Sequence, residues 1–456
     1  MKHPGYSEKN AVNQGPGLAG VATMNIICAY PVNVDAVCNI RVEEIMHLIS
    51  LSHPSIIKIE LKESIGSCED LLSCLLFCMQ QGSGAEILIE NEALARQIED
   101  SFSWQFRLGG NAGIMANILA ALGARPVLNS PALGPRLAGM LHAGVCVPRI
   151  AEPCQVAGEL KADQVRDHAI EMEHFVFQFK KGDLVAGGQN RITAPNDNRF
   201  IATYDTVNTR LITRRHFDNY CLENIREIDG ALLSGFHLAP LKEYKDIFSQ
   251  KIAQIKSWKD KNPQIFIHAE MGSFQSIEIM QSLLLLLPKI PVDSLGLNED
   301  ELAASEGLAP GSSPVHWQET MQVAQRLRKS LGIFRVSVHT RDYILSVMLQ
   351  GKITAKEELF ALQSGAKAAA ALAATGLVTG EPPEEINPVG LEANEEFCRN
   401  GATASGRGAF LHFGEEIISL MPSLLAKRPK ITVGLGDTAT ATIFFQELLA
   451  IRESRV

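Results

Sequence analysis

The chain has 456 residues, of which 46% are hydrophobic and 20% charged, a balance typical of a packed globular protein and unlike that of a disordered chain. Its formal net charge of −9 argues against nucleic-acid binding, which requires a surplus of Lys and Arg to neutralise phosphates. No apolar stretch reaches the roughly 18 residues needed to span a membrane, and we expect no secretory signal. These properties predict a cytoplasmic protein that acts on small molecules as a monomer or small homo-oligomer.

The nine cysteines form no CxxC pair and are odd in number, so reduced thiols are expected. Cys68, Cys74 and Cys78 fall within one helical stretch. Because Cys packs as a small apolar residue, buried free thiols are expected there rather than a metal cluster.

Short apolar runs alternate with amphipathic stretches along most of the chain, a pattern that predicts an α/β protein with a mainly parallel sheet. The runs expected to be buried strands are 24–30, 230–234, 265–268 and 334–338. The stretches expected to be helices are 111–122, 241–258 and 276–287. Since ligands bind beyond the carboxyl ends of strands in such sheets, polar residues at those ends are candidates for the site.

Two regions depart from this alternation. Segments 86–90, 174–180 and 199–204 alternate polar with apolar residues and suit an antiparallel sheet with one exposed face. We therefore expect a smaller α/β lid domain, made of residues 33–107 and 169–205. The large domain would then comprise residues 1–32, 108–168 and 206–456.

The strongest local motif is VGLGDTATAT at 433–442, in which Gly434 and Gly436 precede Asp437 and a helix follows. Glycines let backbone N–H groups approach an anion, and a helix N-terminus adds partial positive charge. An aspartate at this turn can accept a hydroxyl proton during phosphoryl transfer. The competing interpretation is a helix N-cap, which Gly-Asp commonly forms, and the motif alone does not separate the two.

A second glycine turn, FRLGGNAGIMAN at 106–117, leads from a strand into a helix and contains Gly110 and Asn111. Small residues there allow a polyhydroxylated ligand to lie against the backbone, and the Asn111 amide supplies both a donor and an acceptor.

Two further motifs carry carboxylates at predicted strand ends. Asn298 and Glu301 begin a helix, where acidic residues complement the helix dipole or help to hold Mg²⁺ through its water shell. His268-Ala269-Glu270 ends a strand and presents Glu270, whereas His268 is expected to be buried and hydrogen-bonded.

The chain has no Walker A lysine motif and no GxGxxG after its first strand. Both absences weigh against a P-loop kinase and against a Rossmann-type oxidoreductase.

Taken together, GGNAG at 109–113, HAE at 268–270, NEDE at 298–301 and GLGD at 434–437 resemble the ADP-dependent glucokinase/phosphofructokinase family of the ribokinase-like fold. The resemblance runs from about Met24 to the C-terminus. It implies a large domain whose mainly parallel central sheet has helices on both faces, together with a smaller α/β lid. It also implies a sugar kinase in which ADP is the phosphoryl donor and AMP leaves.

The resemblance further implies a role for each matching residue. Asp437 would be the general base, with the Gly434 and Gly436 amides forming an anion hole. Magnesium would be organised by Glu270, Asn298 and Glu301. The β-phosphate of ADP would be clamped by Arg199. The sugar site would be lined by Asn33, Asp35, Glu86, Gly110 and Asn111. Other nucleotide contacts would come from His339 near the adenine, Asn298 and Gly436.

The acceptor stays open between glucose and fructose 6-phosphate. Family members of the phosphofructokinase type carry Arg three residues before the position of Arg199, and those of the glucokinase type carry His, whereas this chain has Asn196. Glu86 favours free glucose, because a carboxylate accepts sugar hydroxyls and repels a phosphate. Alternative cations for a phosphate site are Arg166, Lys180, Lys181 and Arg191.

Two other functions are compatible with these motifs. One is an ATP-dependent ribokinase-like kinase of another alcohol, against which the long lid and the paired HxE and NxxE motifs weigh. The other is a catalytically silent sugar- or nucleotide-binding homologue, which would not need Asp437.

Overall fold

The computed structural model describes residues 23–40, 45, 58–149, 155–156, 172–187, 190–272, 274, 276–308 and 316–455. Its strands are β1 Asn25–Ala29, β2 Asn33–Asn39, β3 Ala85–Leu88, β4 Gln105–Gly109, β5 Arg125–Leu128, β6 Cys146–Val147, β7 Gln155–Val156, β8 Glu173–Phe179, β9 Leu184–Gly187, β10 Asn190–Thr193, β11 Asn198–Tyr204, β12 Gly230–Leu233, β13 Phe266–Glu270, β14 Ser294–Asn298, β15 Arg335–His339, β16 Tyr343–Leu349, β17 Thr403–Ser405, β18 Gly408–Phe413 and β19 Glu416–Pro422. Its α-helices are α1 Cys68–Gln81, α2 Glu92–Ser101, α3 Asn111–Ala121, α4 Pro135–Met140, α5 Arg215–Glu223, α6 Tyr244–Lys261, α7 Ile277–Leu286, α8 Glu299–Ser305, α9 Trp317–Leu331, α10 Ala355–Thr375, α11 Pro388–Arg399 and α12 Leu435–Glu453.

The larger sheet has its strands in the order β17-β18-β19-β16-β15-β14-β13-β12-β1-β5-β6-β7. The strands from β15 to β6 in that order are parallel, whereas β16 to β19 at one edge and β7 at the other are antiparallel. Parallel strands end at the same edge of a sheet. There lie Glu270, Asn298 and His339, the last residues of β13, β14 and β15.

Helices cover both faces of the larger sheet, and each face has its own hydrophobic core. On one face α6 buries Tyr244, Phe248, Ile255 and Trp258, which recur at helical spacing along a single stripe. On the other face α3, α10 and α12 pack together, with Phe444 of α12 only 1% exposed. Complete burial of each such side chain contributes about 1.5–3 kcal/mol.

The smaller sheet has the strand order β3-β11-β8-β2-β4, and its core is shared with α1 and α2. Along β8, Phe175, Phe177 and Phe179 are buried in that core. Because successive side chains of a strand point to opposite faces, His174 and Val176 face the other way. This second face is the one turned toward the larger sheet.

The smaller sheet is mixed rather than antiparallel as predicted, because β3 runs parallel to β11 and β2 runs parallel to β8. Alternation of polar and apolar residues reports that one face is covered, and it carries no information on the direction of the neighbouring strand. The strands of this sheet come from residues 33–109 and 173–204, while the predicted domain boundaries stay a prediction.

The chain passes between the two sheets at three described places, residues 30–33, 109–111 and 204–208. The first and third segments are joined directly. The Asn208 side chain donates from Nδ2 to the Val32 carbonyl at 2.9 Å and accepts at Oδ1 from the Val32 N–H at 3.2 Å.

A buried ion cluster ties the larger sheet to two of its helices. Arg335 of β15 is 1% exposed, and its Nε lies 2.8 Å from Oε1 of both Glu358 in α10 and Glu447 in α12. Burial, reinforced by the Glu358 carboxylate, raises the pKa of Glu447 well above its ordinary value. Removing one partner from such a cluster typically costs about 3–5 kcal/mol.

Among the described residues the cysteines 28, 38, 68, 74, 78, 221 and 398 are not disulfide-bonded. Cys74 and Cys78 are buried in the core of the smaller sheet, where burial raises the pKa of Cys78 to about 12. The expectation of reduced thiols is wrong for Cys146 in β6, which is disulfide-bonded. Cysteine spacing alone does not determine such pairing.

Every predicted strand and helix named above coincides with an observed element whose ends differ by three residues or fewer. Across the described residues, no helix has the length and apolar character required to cross a membrane.

Candidate active site

A cavity of about 380 Å³ lies between the carboxyl edge of the larger sheet and the open face of the smaller one. This volume is within the range of pockets that hold small ligands. Its wall on the larger-sheet side contains Glu270, Asn298, Glu301, His339, Gly434, Gly436 and Asp437. Its wall on the smaller-sheet side contains Asn33, Asp35, Glu86, Arg107, His174 and Arg199. Gly110 and Asn111 lie where the two walls meet. All of the site residues predicted from the sequence therefore line one cavity.

Asp437 is the third residue of α12 and faces Asn111 at the start of α3. The Asn111 amide donates from Nδ2 to Asp437 Oδ1 at 2.7 Å. Burial raises the pKa of Asp437 to about 6, with the Glu270 and Asp35 charges adding to the rise and the Asn111 hydrogen bond opposing it. The N-cap interpretation is wrong, since Gly434 occupies that position and Asp437 bonds to another helix.

The first turn of α12 presents backbone N–H groups to the cavity. The first intrahelical bond is from Thr438 N to the Gly434 carbonyl, so the amides of Leu435, Gly436 and Asp437 have no acceptor within the helix. Gly434 adopts φ 74°, a left-handed conformation that favours glycine, and it turns the chain into the helix. Free amides at a helix N-terminus are suited to bind a phosphate oxygen.

Glu270 ends β13 and is 4% exposed. Its Oε2 lies 2.9 Å from His268 Nε2 and accepts from Thr440 Oγ1 at 3.3 Å. The His268 Nδ1 lies 2.9 Å from Ser294 Oγ, which confirms a buried histidine with both nitrogens partnered. Burial raises the pKa of Glu270. On the adjacent strand only glycine fits at Gly296, where a Cβ would lie 2.0 Å from Glu270 Oε2.

Asn298 and Glu301 form a capping box at the start of α8. The Glu301 carboxylate accepts from Asn298 N and from Asn298 Nδ2, both at 2.9 Å. These bonds fix the Glu301 side chain at the cavity wall, where it is 8% exposed. Burial raises the pKa of Glu301 to about 8, and the charges of Glu270 and Asp437 add to the rise.

The three carboxylates on this wall therefore repel one another. No group of three or more His, Cys, Asp or Glu side chains within the described ranges is placed to hold a metal ion by itself. Mg²⁺, however, usually keeps several waters and is held by one or two carboxylates. Glu270, Asn298 and Glu301 fit an ion held through water, because a divalent charge would relieve this repulsion.

The opposite wall pairs its acids with cations. Asn33 Nδ2 donates to Asp35 Oδ1 at 2.9 Å, and Arg107 Nε lies 3.7 Å from Asp35 Oδ2. Arg107 and Arg199 both line the cavity. Burial lowers the pKa of Arg107 and the Arg199 charge adds to this effect, while Asp35 opposes it. The buried Arg107 Nε has no hydrogen-bond partner.

Glu86 and His174 form a second pair on this wall. Thr203 Oγ1 donates to Glu86 Oε1 at 2.8 Å, and His174 Nδ1 lies 3.7 Å from the same oxygen. The other nitrogen, Nε2, lies 3.1 Å from Asp205 Oδ2. Burial alone would lower the pKa of His174, but the bond to Asp205 and the charges of Glu86, Asp205 and Asp35 outweigh it and raise the pKa to about 9. His174 is therefore an imidazolium at neutral pH.

His339 ends β15, with its Nε2 3.7 Å from Glu270 Oε1. A Cβ at Gly436 would lie 3.1 Å from the same nitrogen. The imidazole thus lies between Glu270 and the first turn of α12, and its contact with adenine stays a prediction.

The family model described as the ADP-specific Phosphofructokinase/Glucokinase conserved region matches residues 24–446. The chain belongs to this family. The membership predicted from the motifs is confirmed, and so is the prediction of a kinase of this family with an alcohol acceptor.

Relatives of both kinds in the family are about equally similar to the chain. The ADP-specific phosphofructokinase of Pyrococcus horikoshii is 28% identical over 454 residues, covering 93% of this chain and 98% of that protein. The ADP-dependent glucose/glucosamine kinase of Pyrococcus furiosus is 27% identical and covers 96% of each chain. A crystal structure of a phosphofructokinase from P. horikoshii with AMP has a TM-score of 0.77 at 25% identity, over 94% of this chain and 99% of that one. The predicted α/β fold class is confirmed.

Three ionisable side chains of this family member line the cavity but are absent from the predicted site: Arg107, His174 and His237. A signal for His174 exists in the alternation of β8, where three phenylalanines mark the core face and leave His174 on the other. The position of His237, in the turn after β12, depends on the packing of the two sheets and has no local signature.

None of the other side chains considered for binding a sugar phosphate is a described residue of the cavity wall. Asn196, Lys180 and Lys181 are exposed and do not line the cavity. The side chains of Arg166 and Arg191 lie outside the described residues.

Proposed function

We propose that this chain transfers the β-phosphoryl group of ADP to a hydroxyl of a hexose, releases AMP, and prefers glucose to fructose 6-phosphate. The observation that carries the proposal is the placement of Asp437, bonded to Asn111 and next to the free amides of α12, in a cavity that it shares with the lid-side carboxylates.

Asp437 acts as the general base. It accepts the proton of the acceptor hydroxyl as that oxygen bonds to the β-phosphorus. The bond from this phosphorus to the oxygen that bridges the two phosphates then breaks, and AMP leaves with that oxygen. Amides of the α12 first turn, including that of Gly436, donate to the phosphoryl oxygens, and Arg199 neutralises charge from the lid.

Glu270, Asn298 and Glu301 would hold Mg²⁺. The bound ion would neutralise part of the charge of the diphosphate. Phosphoryl transfer needs positioning and charge stabilisation more than covalent help, and this arrangement provides both.

The acceptor end favours a neutral polyol. Asp35 and Glu86 accept hydrogen bonds from the sugar hydroxyls, while Asn33 and His174 donate hydrogen bonds to the hydroxyl oxygens. Since Glu86 would repel a phosphate, glucose fits better than fructose 6-phosphate.

A second acceptor, fructose 6-phosphate, is favoured by one observation. Arg107 and Arg199 line the same cavity close enough for their charges to interact, and Arg107 Nε, 3.7 Å from Asp35 Oδ2, has no hydrogen-bond partner. Two guanidiniums with an incomplete set of partners can bind a sugar phosphate.

A crossed assay tests these proposals. The purified protein is incubated with Mg²⁺, either ADP or ATP, and glucose or fructose 6-phosphate, and AMP is quantified. The expected result is AMP formation with ADP and glucose, at a kcat/KM about tenfold above that for fructose 6-phosphate, equivalent to about 1.4 kcal/mol. Two results would overturn the proposed function: phosphorylation of the sugar with ATP but not with ADP, or AMP release that does not depend on the sugar. Asp437→Asn, of the same size, is the inactive control.

A further inference from the structure

Asp205 has a fully buried side chain, and it lies immediately after β11, where the chain leaves the smaller sheet. Its Oδ1 accepts from the N–H groups of Val207 at 3.0 Å and Asn208 at 2.6 Å. Its Oδ2 accepts from Asn208 Nδ2 at 2.7 Å and lies 3.1 Å from His174 Nε2. One carboxylate therefore contacts both the connection between the sheets and a side chain of the cavity wall.

Asn208 extends this contact to the other connection. Its amide bonds both the N–H and the carbonyl of Val32, as a neighbouring strand would, and the residue is 2% exposed. Two of the three described segments that join the sheets are thus held to each other through Asn208, and Asp205 holds Asn208. A change in the angle between the sheets has to move these bonds, because all three groups are buried.

His174 is the end of this chain of contacts that faces the cavity. Its side chain is 11% exposed. Charged groups approach it from three strands of the smaller sheet, Glu86 from β3, Asp35 from β2 and Asp205 from the end of β11, while His237 approaches from the larger-sheet side. Because Asp205 fixes the position of Nε2, the other ring nitrogen, Nδ1, points toward Glu86 in the cavity wall.

We propose that Asp205 is a positioning residue, which orients His174 as a hydrogen-bond donor to the acceptor sugar and, through Asn208 and Val32, makes acceptor affinity depend on the angle between the two sheets. The inference rests on the proposed function only in assigning the acceptor to this end of the cavity. Asp205 itself touches neither substrate nor the reacting atoms.

The first test is the isosteric variant Asp205→Asn. In this variant an amide oxygen in the place of Oδ1 still accepts from the N–H groups of Val207 and Asn208. The NH₂ group in the place of Oδ2 accepts neither from His174 Nε2 nor from Asn208 Nδ2, so the bond to His174 and one of the bonds to Asn208 are lost. Loss of a hydrogen bond to a charged group, about 1.5–3 kcal/mol, corresponds to roughly a 10- to 100-fold rise in the KM for the sugar. The KM for ADP should change less than about threefold, since the α12 amides are untouched.

A double-mutant cycle separates positioning from general stability. If Asp205 acts through His174, the variant Asp205→Asn/His174→Gln should have a sugar KM no higher than that of His174→Gln alone. Asp293→Asn is the matched control, because Asp293 is also buried and bonds Lys259, Lys352 and the Ile267 N–H away from the cavity. It should lower thermal stability and leave the sugar KM unchanged.

A second readout does not require turnover. In ¹⁵N-histidine NMR, the resonance that is lost in His174→Gln should stay protonated at pH 7.5 in the wild type and become neutral in Asp205→Asn. The inference would be overturned if the two substitutions raised the sugar KM independently, so that their fold-changes multiply in the double variant. It would also be overturned if Asp205→Asn left the His174 resonance unaltered. Absence of any sugar-dependent AMP from the wild type would instead overturn the proposed function, and the NMR measurement would still decide whether Asp205 controls His174.

Discussion

The two walls of the cavity are built from different parts of the fold and carry charge differently. The larger-sheet wall consists of strand ends and the first turns of α8 and α12, and its ionisable groups include the three mutually repelling carboxylates Glu270, Glu301 and Asp437. The smaller-sheet wall consists of alternate side chains on one strand face, where Asp35 and Glu86 each have a cation within 3.7 Å.

This difference in charge indicates that the two walls bind different parts of the substrates. Crowded carboxylates at strand ends are stable only when a cation or a proton joins them, so the larger-sheet wall is suited to a metal-bound diphosphate. On the smaller-sheet wall, acids that lie beside cations supply both hydrogen-bond acceptors and donors and suit a ligand with many hydroxyls. The chemistry is expected to reside on the first wall and the selectivity on the second.

The largest effect is expected from removing the cation. Excess EDTA should reduce AMP formation to background, because three carboxylates would then face the donor diphosphate without a counter-charge. Restoring Mg²⁺ should recover the rate, measured in the crossed assay. Turnover that persists in chelator would show that this wall does not need a metal.

Asp437→Ala should come next. Loss of a general base typically costs about 10²- to 10⁴-fold in rate, so kcat should fall by that factor while the KM for glucose changes little. Circular dichroism and thermal melting verify that the fold is retained. A variant with near-normal kcat would eliminate Asp437 as the base.

The pH dependence of kcat/KM tests the same wall, with a smaller expected effect. Burial raises the pKa of Asp437 to about 6, and a base must be ionised to act. The value of kcat/KM should therefore level off above pH 6 and fall about tenfold per pH unit below it. Asn111→Ala removes the hydrogen bond that lowers this pKa and should move the midpoint upward. A midpoint indifferent to Asn111 would argue that another group is titrating.

The smallest effect is expected from Asn196→Arg, just before β11 of the smaller sheet. The new guanidinium should favour fructose 6-phosphate over glucose in the ratio of kcat/KM values, by a few-fold only, since Asn196 is exposed and outside the cavity wall. Asn196→Gln controls for side-chain length. An unaltered ratio would show that this position does not read the sugar phosphate.

The same division explains what could be predicted from the sequence. On the larger-sheet wall, functional residues occur as short contiguous motifs, because a strand end or helix start brings neighbours in sequence to one place. The turn at Gly434–Asp437 and the Asn298–Glu301 pair were found for this reason. Parallel strands were found from their apolar runs, whereas the antiparallel edge from β16 to β19 was not predicted.

On the smaller-sheet wall, proximity arises between strands. His174 meets Glu86 and Asp205 only because β8 pairs with β11 in one particular register, in which His174 lies opposite Thr203. Arg107 meets Asp35 across the β2–β4 pairing, where the two are direct partners. Strand order and register are tertiary properties, so local patterns could not reveal these pairs.

Arg335 has a mechanical consequence for catalysis. Because its guanidinium joins β15 to both α10 and α12, the helix that bears Asp437 cannot slide along the sheet without exposing or breaking a buried ion pair. We therefore expect Asp437 and Glu270 to keep their positions relative to the larger sheet, and any closing motion to be made by the smaller sheet. Structures determined with and without nucleotide should superpose over β12 to β15, α10 and α12, and differ in the rotation of β2, β8 and β11.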